Sequence, residues 1–378
     1  MHINLLIKPA SSLCNMRCRY CFYEDEAANR AEASLGRMSR ETAALLIRQA
    51  LDAAGWNGSV SFAFQGGEPT LAGLAFYRDF VAEAERQNTQ HLPVTWSIQT
   101  NALALDAEWA AFLAEKHFLT GISLDGDKDL HDSLRVDAAG KGTWNRVQKN
   151  LRLLQKAGAD CNLLCVVTRS CARSAVRIYH ALQKTGVWYL QFIPCLDPLG
   201  EPRGQRPWSL TPKDYGAFLC SLFDEWYRDW ASGHYTSVRL FDDYVHLAMG
   251  LPAGTCATSG SCGAYAVVEA DGSVYPCDFF ALDAWKLGNI HETPLPQLMD
   301  SRREKQFLEE GLQHPDPCAA CRWQALCFGG CKRDWTQDAA GVRQNYYCPA
   351  FQMFFAHAEP RLRQIAAAER QAGAGRGY

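Results

Sequence analysis

Three cysteines stand close together near the N-terminus, in the run Ser12-Leu13-Cys14-Asn15-Met16-Arg17-Cys18-Arg19-Tyr20-Cys21-Phe22-Tyr23. Their spacing is C-x3-C-x2-C. Three thiolates can hold three irons of a [4Fe–4S] cluster and leave the fourth iron open. An open metal position is what catalysis needs, whereas a structural site is closed. Two plainer readings are half a zinc site or three buried thiols, although zinc knuckles usually bring two pairs. Eight more cysteines crowd the second half: Cys256, Cys262, Cys277, Cys318, Cys321, Cys327, Cys331 and Cys348. Eight thiolates make two complete four-ligand sets for iron–sulfur clusters, with two zinc sites as the rival. The remaining five, Cys161, Cys165, Cys171, Cys195 and Cys220, are scattered and read as small core hydrophobes.

The elements that must position these residues alternate in the first half. Short apolar runs bounded by Gly, Asn, Asp or Pro predict strands over 3–8, 59–65, 94–99, 118–124, 161–168 and 188–194. Apolar spacings of three and four predict helices over 40–54, 74–87, 107–115, 144–157 and 172–185. Ser39 with Thr42, and Asp106, mark two helix starts. Repeated βα units with buried strands imply a parallel sheet covered by helices. In such α/β barrels the chemistry sits at the C-terminal strand ends. The alternation ends near 230–235, a helical bridge is expected at about 242–250, and the cysteine-dense region follows.

Several residues fall at those strand ends. Gln65-Gly66-Gly67-Glu68-Pro69 follows the second predicted strand, and paired glycines let backbone approach a ligand closely. Ser123-Leu124-Asp125-Gly126 ends the fourth, with Arg135 in the loop beyond. An arginine fork suits a carboxylate, or equally a surface ion pair. Gln99-Thr100-Asn101 ends the third strand and Leu196 follows the sixth. His131 and His291 are read as hydrogen-bonded histidines without assigned chemistry.

The chain has 378 residues, 48% of them hydrophobic, enough for a large core and more than one domain. A net charge of −3 gives no nucleic-acid footprint. No run of 18 apolar residues predicts a membrane span. The first residues lack the apolar core of a signal peptide. Sixteen cysteines without an export signal point to metal ligation in a reducing cytoplasm.

The C-x3-C-x2-C run, with Tyr20 before Cys21, resembles the radical S-adenosylmethionine (SAM) enzymes. That resemblance implies a partial (β/α)6 barrel over 1–235. It also implies that SAM chelates the open iron and is cleaved to a 5′-deoxyadenosyl radical. By the same resemblance Gly66, Gly67 and Glu68 meet the SAM amino group, Ser123 and Arg135 its carboxylate, and Leu196 the adenine. The later spacing, C-x5-C-x14-C, then C-x2-C-x5-C-x3-C, then C-x16-C, resembles a SPASM domain, expected over 256–350. A bridge spans 236–255, and a C-terminal helix with a flexible tail occupies 351–378; the glycine-rich tail is expected to fray from 366. The resemblance implies two further [4Fe–4S] clusters, an inner one on Cys256, Cys262, Cys277 and Cys331, and an outer one on Cys318, Cys321, Cys327 and Cys348.

The run Val274-Tyr275-Pro276-Cys277-Asp278-Phe279-Phe280, followed by Trp285-Lys286-Leu287-Gly288-Asn289-Ile290, resembles the anaerobic sulfatase-maturating enzymes, over roughly residues 1 to 350. In that family the Asp after the cluster ligand is the catalytic base, here Asp278, and Tyr23 and Gln65 match positions that bond around it. The implied reaction oxidises a Cys or Ser of an unfolded or nascent sulfatase to Cα-formylglycine. A thiol, with a pKa near 8.5, is the easier group to deprotonate. The implied partners are the sulfatase chain and an electron donor such as flavodoxin or ferredoxin. Rivals are a SPASM maturase that crosslinks a ribosomal peptide, and an iron–sulfur carrier or scaffold. The first rival often has an N-terminal winged-helix domain, for which a first strand at residue 3 leaves no room. The second has no use for a SAM pocket. The Pro- and Gly-rich stretch 198–212 is expected to be a long loop over the barrel mouth that helps bind the peptide.

Overall fold

The computed structural model describes residues 1–374. Six strands, β1 (His2–Lys8), β2 (Ser59–Phe64), β3 (Val94–Thr100), β4 (Leu119–Ser123), β5 (Cys161–Val167) and β6 (Tyr189–Pro194), pair in parallel in chain order. Helices Arg40–Ala54, Leu74–Gln87, Ala107–Glu115 and Trp144–Ala157 cross between them. Local chemistry sets their ends. Ser39 accepts from Thr42 N at 3.1 Å, Asp106 accepts from Trp109 N at 3.0 Å, and Gly158 closes its helix in the left-handed region.

The sheet does not stop at six strands. β7 (Ser237–Val238) extends it beside β6. On the other edge β8 (Ala266–Glu269) pairs in parallel with β1, and β9 (Ser273–Tyr275) and β10 (Gly288–Asn289) follow antiparallel. The cysteine-rich region therefore contributes three strands to the barrel's own sheet. These strands are two to four residues long, too short for a periodic signal.

Three sequence expectations need correction. The helix expected over 172–185 is two, Arg169–Ala172 and Ala175–Gln183. The Thr168 hydroxyl caps the first through Cys171 N, and Ser174 leaves helical backbone between them. The bridging helix starts earlier, at Arg239, and spans Arg239–Ala248. Its buried Asp243 accepts from Gly254 N at 2.8 Å and from Thr255 and Thr258 hydroxyls at 2.7 Å, which anchors the loop that presents Cys256. The last helix runs unbroken from Cys348 to Ala374 rather than fraying at 366. Phe354, Ala358, Leu362, Ile365 and Ala366 form a buried stripe on it. Tyr227 donates to Gln364 at 2.9 Å from helix Pro212–Ala231 alongside. The glycine-rich end of the tail falls largely outside the described residues.

Phe354 packs on Phe223, Phe241 and Tyr244, with ring centroids 5.4–5.6 Å away. Phe354→Ala is expected to cost about 3–5 kcal/mol. Anaerobic chemical denaturation of the cluster-loaded protein checks this, and a loss below about 1 kcal/mol contradicts it.

Candidate active site at the barrel mouth

The N-terminal cysteines lie on the loop after β1, and the two glycines after β2 brace that loop. Gly67 N donates to Ser11 O at 2.9 Å and Glu68 N to Leu13 O at 2.7 Å. A Cβ on Gly67 would lie 2.3 Å from Leu13 O, so only glycine allows this approach. Gly66 has φ +116°, in the range that favours glycine. Glu68 is buried, with its oxygens bonded to Thr70 N, the Thr70 and Thr100 hydroxyls and Asn101 N at 2.5–3.1 Å. It clamps the loops after β2 and β3 together and faces protein donors rather than an open site.

Donors converge on the N-terminal sulfurs. Met16 N lies 3.4 Å from Cys14 Sγ, Asn101 Nδ2 at 3.8 Å from the same atom, and Arg135 Nη1 at 4.0 Å from Cys18 Sγ. Arg135 is held by Asp125, whose Oδ2 accepts from its Nε at 2.8 Å and from the Tyr20 hydroxyl. Asp125 Oδ1 also accepts from Val166 N at 2.9 Å. Asp125 thus ties the cluster loop, β5 and Arg135 to the end of β4, a role the sequence reading did not assign. Ser123 accepts from Gln99 at 3.1 Å beside it. Leu196 lines a cavity of about 210 Å³ with Arg19, Tyr20, Cys21 and Trp208. Burial pushes the free thiols of Cys14 to about 11 and Cys18 to about 12, so ligation must displace their protons.

The second-half cysteines gather in the two expected groups. Cys277 lies within electrostatic reach of Cys256 and Cys262, and Cys331 of Cys277 and Cys256. Cys318, Cys321, Cys327 and Cys348 line one cavity of about 250 Å³. Among the described residues no three potential ligands converge on a single-ion position. An all-thiol donor set around an open space suits a cluster. Of the five cysteines read as core, Cys165, Cys171 and Cys195 are buried, and Cys161 and Cys220 are half-buried. His131 is a core histidine bonded to Thr143 at 2.9 Å, its pKa lowered to about 4 by burial, and His291 bonds Thr42 at 3.0 Å.

Asp278 sits in the turn after Cys277 and is buried. Its Oδ2 accepts from the Tyr23 hydroxyl at 2.6 Å and from Gln65 Nε2 at 3.4 Å. Its Oδ1 is buried without a partner. The structure brings the three side chains together, and the sequence reading did not include what lies behind them. Lys8, at the end of β1, is buried between Glu26 at 3.1 Å and Glu269 at 3.0 Å, with its ammonium 4.9 Å from the Tyr23 ring. Arg30 reaches Glu269 at 2.6 Å. A lysine ending an otherwise apolar strand was the available signal. Burial alone would lower the Lys8 pKa, but Glu269, Glu26 and Asp278 hold it above its ordinary value.

The charges of this pocket balance only when one carboxylate holds a proton. Two cations, Lys8 and Arg30, face three carboxylates. Burial would raise Glu269, but Lys8 and Arg30 override it and hold Glu269 low and ionised. Burial pushes Glu26 up to about 8 and Asp278 above its usual range, so these two compete for the proton. Asp278 is a proton acceptor when Glu26 carries it.

The chain matches the family model of the Radical SAM superfamily over residues 9–170, and that of the SPASM iron–sulfur cluster-binding domain over residues 261–322. It is 42% identical over 365 residues to a cysteine-type anaerobic sulfatase-maturating enzyme of Clostridium novyi, covering 96% of this chain and 97% of that one. The chain belongs to the anaerobic sulfatase-maturating enzymes. A serine-type member from Bacteroides thetaiotaomicron is 29% identical, over 95% of this chain and 90% of its own. The solved structure of native anSMEcpe with bound AdoMet and Kp18Cys peptide superposes with a TM-score of 0.92, at 40% identity, over 97% of this chain and 100% of that one. As a member of this family the chain is a radical SAM oxidoreductase. Its fold is the partial barrel with a SPASM region, and its cofactors are SAM and [4Fe–4S] clusters. No helix of the described residues is long and apolar enough to cross a membrane.

Two outcomes are expected. Gly67→Ala drives Leu13 and the cysteine loop away, and should lose about one cluster's worth of iron from the sulfatase-maturating fold; undiminished iron on reconstitution contradicts the brace. Glu26 has a raised pKa when folded, so its contribution to stability is full below pH 4.5 and is lost as pH rises through about 8. Glu26→Gln should flatten that fall. Denaturation of both proteins across this range checks it, and parallel curves contradict it.

Proposed function

We propose that this chain oxidises a target cysteine of a sulfatase polypeptide to Cα-formylglycine, with Asp278 as the base. The observation that carries the reading is the buried, unpartnered Oδ1 of Asp278, whose other oxygen is held by Tyr23 and Gln65. The 42% identity to a cysteine-type relative, against 29% to a serine-type one, favours cysteine as the target.

Cys14, Cys18 and Cys21 would hold the SAM-binding cluster; Cys256, Cys262, Cys277 and Cys331 the inner auxiliary one; and Cys318, Cys321, Cys327 and Cys348 the outer one. When bound, SAM would supply a 5′-deoxyadenosyl radical able to take a hydrogen atom from the substrate β-carbon, and the auxiliary clusters would supply an acceptor for one electron. The chain's own residues do the rest. Gly66 and Gly67, which brace the cysteine loop, would offer backbone to the SAM amino group, and Arg135, oriented by Asp125 and beside Cys18, would meet its carboxylate. Ser123 would share that carboxylate, and Leu196, which lines the cavity beside Cys21, would meet the adenine. Tyr23 and Gln65 fix one Asp278 oxygen so that the other accepts the substrate thiol proton. Loss of a hydrogen atom, a proton and an electron converts the CH2SH group to a thioaldehyde. Water then releases hydrogen sulfide and leaves the aldehyde.

The substrate reaches the site as an unfolded or nascent segment, and a small electron-transfer protein such as flavodoxin or ferredoxin supplies the reducing electron. The loop after β6 packs against both chemical halves: Leu199 N donates to Asp25, on the helix that follows the N-terminal cysteines, at 2.9 Å, and Arg203 reaches Arg333 O, beside Cys331, at 2.6 Å. It flanks the cavity beside Cys21, where the peptide would enter.

Anaerobic incubation with SAM, a reductant and a Cys-x-Pro-x-Arg peptide should remove about 18 Da from the peptide and form 5′-deoxyadenosine. Asp278→Asn should cut aldehyde formation by at least about 100-fold while deoxyadenosine still forms. Wild-type aldehyde yield from that variant removes Asp278 from the mechanism. Deoxyadenosine with an unchanged peptide contradicts the sulfatase assignment.

A further inference from the structure

Lys332 follows Cys331 directly and is not a solvated lysine. Its side chain is 12% exposed. Its ammonium lies 4.1 Å from the ring centre of Phe307, 4.7 Å from Trp285 and 5.5 Å from Phe280. Those rings pack edge to face, with Phe307 5.3 Å from Phe280 and 5.0 Å from Trp285. Three aromatic faces around one ammonium form a cage for a cation. Among the described residues one carboxylate bonds it, Glu310 at 2.8 Å, on the more open side and 35% exposed.

The cage is built from the elements that hold the inner cysteine set. Phe280 lies in the turn of Asp278, three residues after Cys277. Phe307 and Glu310 lie on helix Arg302–Leu312, whose Gly311 leaves room for Cys262: a Cβ there would be 2.7 Å from Cys262 Sγ. The Lys332 charge reaches the Cys262 thiol. The neighbouring Arg333 turns away, donating to Asp197 O at 3.2 Å, and Asp334 is paired with Arg203 at 3.4 Å. Glu304, Asp278 and, beside Cys331, Asp334 are the carboxylates that face the set.

We propose that Lys332 is a positioning residue for electron transfer: its caged charge raises the reduction potential of the inner auxiliary cluster. This rests on the proposed ligation of that cluster by Cys256, Cys262, Cys277 and Cys331. A cluster gains negative charge on reduction, and its potential follows the net charge around it. A cation in a dry cage is poorly screened, so its field favours the reduced form. The cluster is then the better acceptor for the electron that leaves the substrate as its β-carbon is oxidised and its thiol proton passes to Asp278.

The test is potentiometric titration of the reconstituted full chain, followed by electron paramagnetic resonance, with iron content measured alongside. Lys332→Met keeps the volume and removes the charge, and should shift one auxiliary wave to lower potential. Lys332→Arg should leave that wave in place. Glu310→Gln removes the counter-charge and should shift it upward without touching the cage. Aldehyde formed per deoxyadenosine should fall in Lys332→Met and not in Lys332→Arg. Equal potentials in wild type and Lys332→Met at equal iron content overturn the tuning role and leave formylglycine synthesis standing. If Lys332→Met loses iron, an unmoved wave in Glu310→Gln overturns it. A wild type without a cluster at the Cys256 set overturns this inference together with the ligand assignment.

Discussion

The pairing of Lys8 with Glu269 is the contact on which the site depends. The two residues are register partners at the ends of β1 and β8, and their side chains meet at 3.0 Å in a dry interior. One strand leads into the N-terminal cysteine loop, and the other leads through β9 to Cys277 and Asp278. Both chemical halves of the enzyme are therefore built on neighbouring strands of one sheet. A separate domain tethered by a linker would not hold Asp278 at 2.6 Å from Tyr23. Breaking such a buried pair by removing one partner is strongly destabilising, because it strands a charge.

Around that pair the pocket is arranged to keep one carboxylate available. Arg30 takes part of Glu269, Lys8 is shared with Glu26, and Asp278 keeps one buried oxygen without a partner. The hydrogen bonds from Tyr23 and Gln65 orient that carboxylate, and burial raises both it and Glu26 above the usual carboxylate range. The same economy holds at Asp125, where one carboxylate orders Tyr20, Arg135 and β5 beneath the N-terminal cysteines.

Much of this was legible in the sequence, and the exceptions have physical reasons. The six barrel strands and four of their helices fall where short apolar runs and 3–4 spacing put them, because buried parallel strands and amphipathic helices write their periodicity locally. The glycines at 66 and 67 and the cysteine spacings were visible because few other residues could serve. The β8–β10 extension was not visible. It pairs Leu5 with Ala266, far apart in the chain, through strands too short to show alternation. Glu68, Asp125 and Lys8 carry structural roles through long-range partners, which no local pattern encodes. The final helix was missed beyond 366 because its buried stripe at 354, 358, 362 and 365 stops there, leaving no apolar period to mark the turns that follow.

The most direct test follows the hydrogen atom. A cysteine peptide carrying two deuteriums on the target β-carbon is incubated anaerobically with SAM and a reductant, and the 5′-deoxyadenosine is weighed by mass spectrometry. The account predicts one deuterium in the deoxyadenosine for each aldehyde formed, with the other retained on the aldehyde carbon. Aldehyde formed alongside unlabelled deoxyadenosine would contradict it.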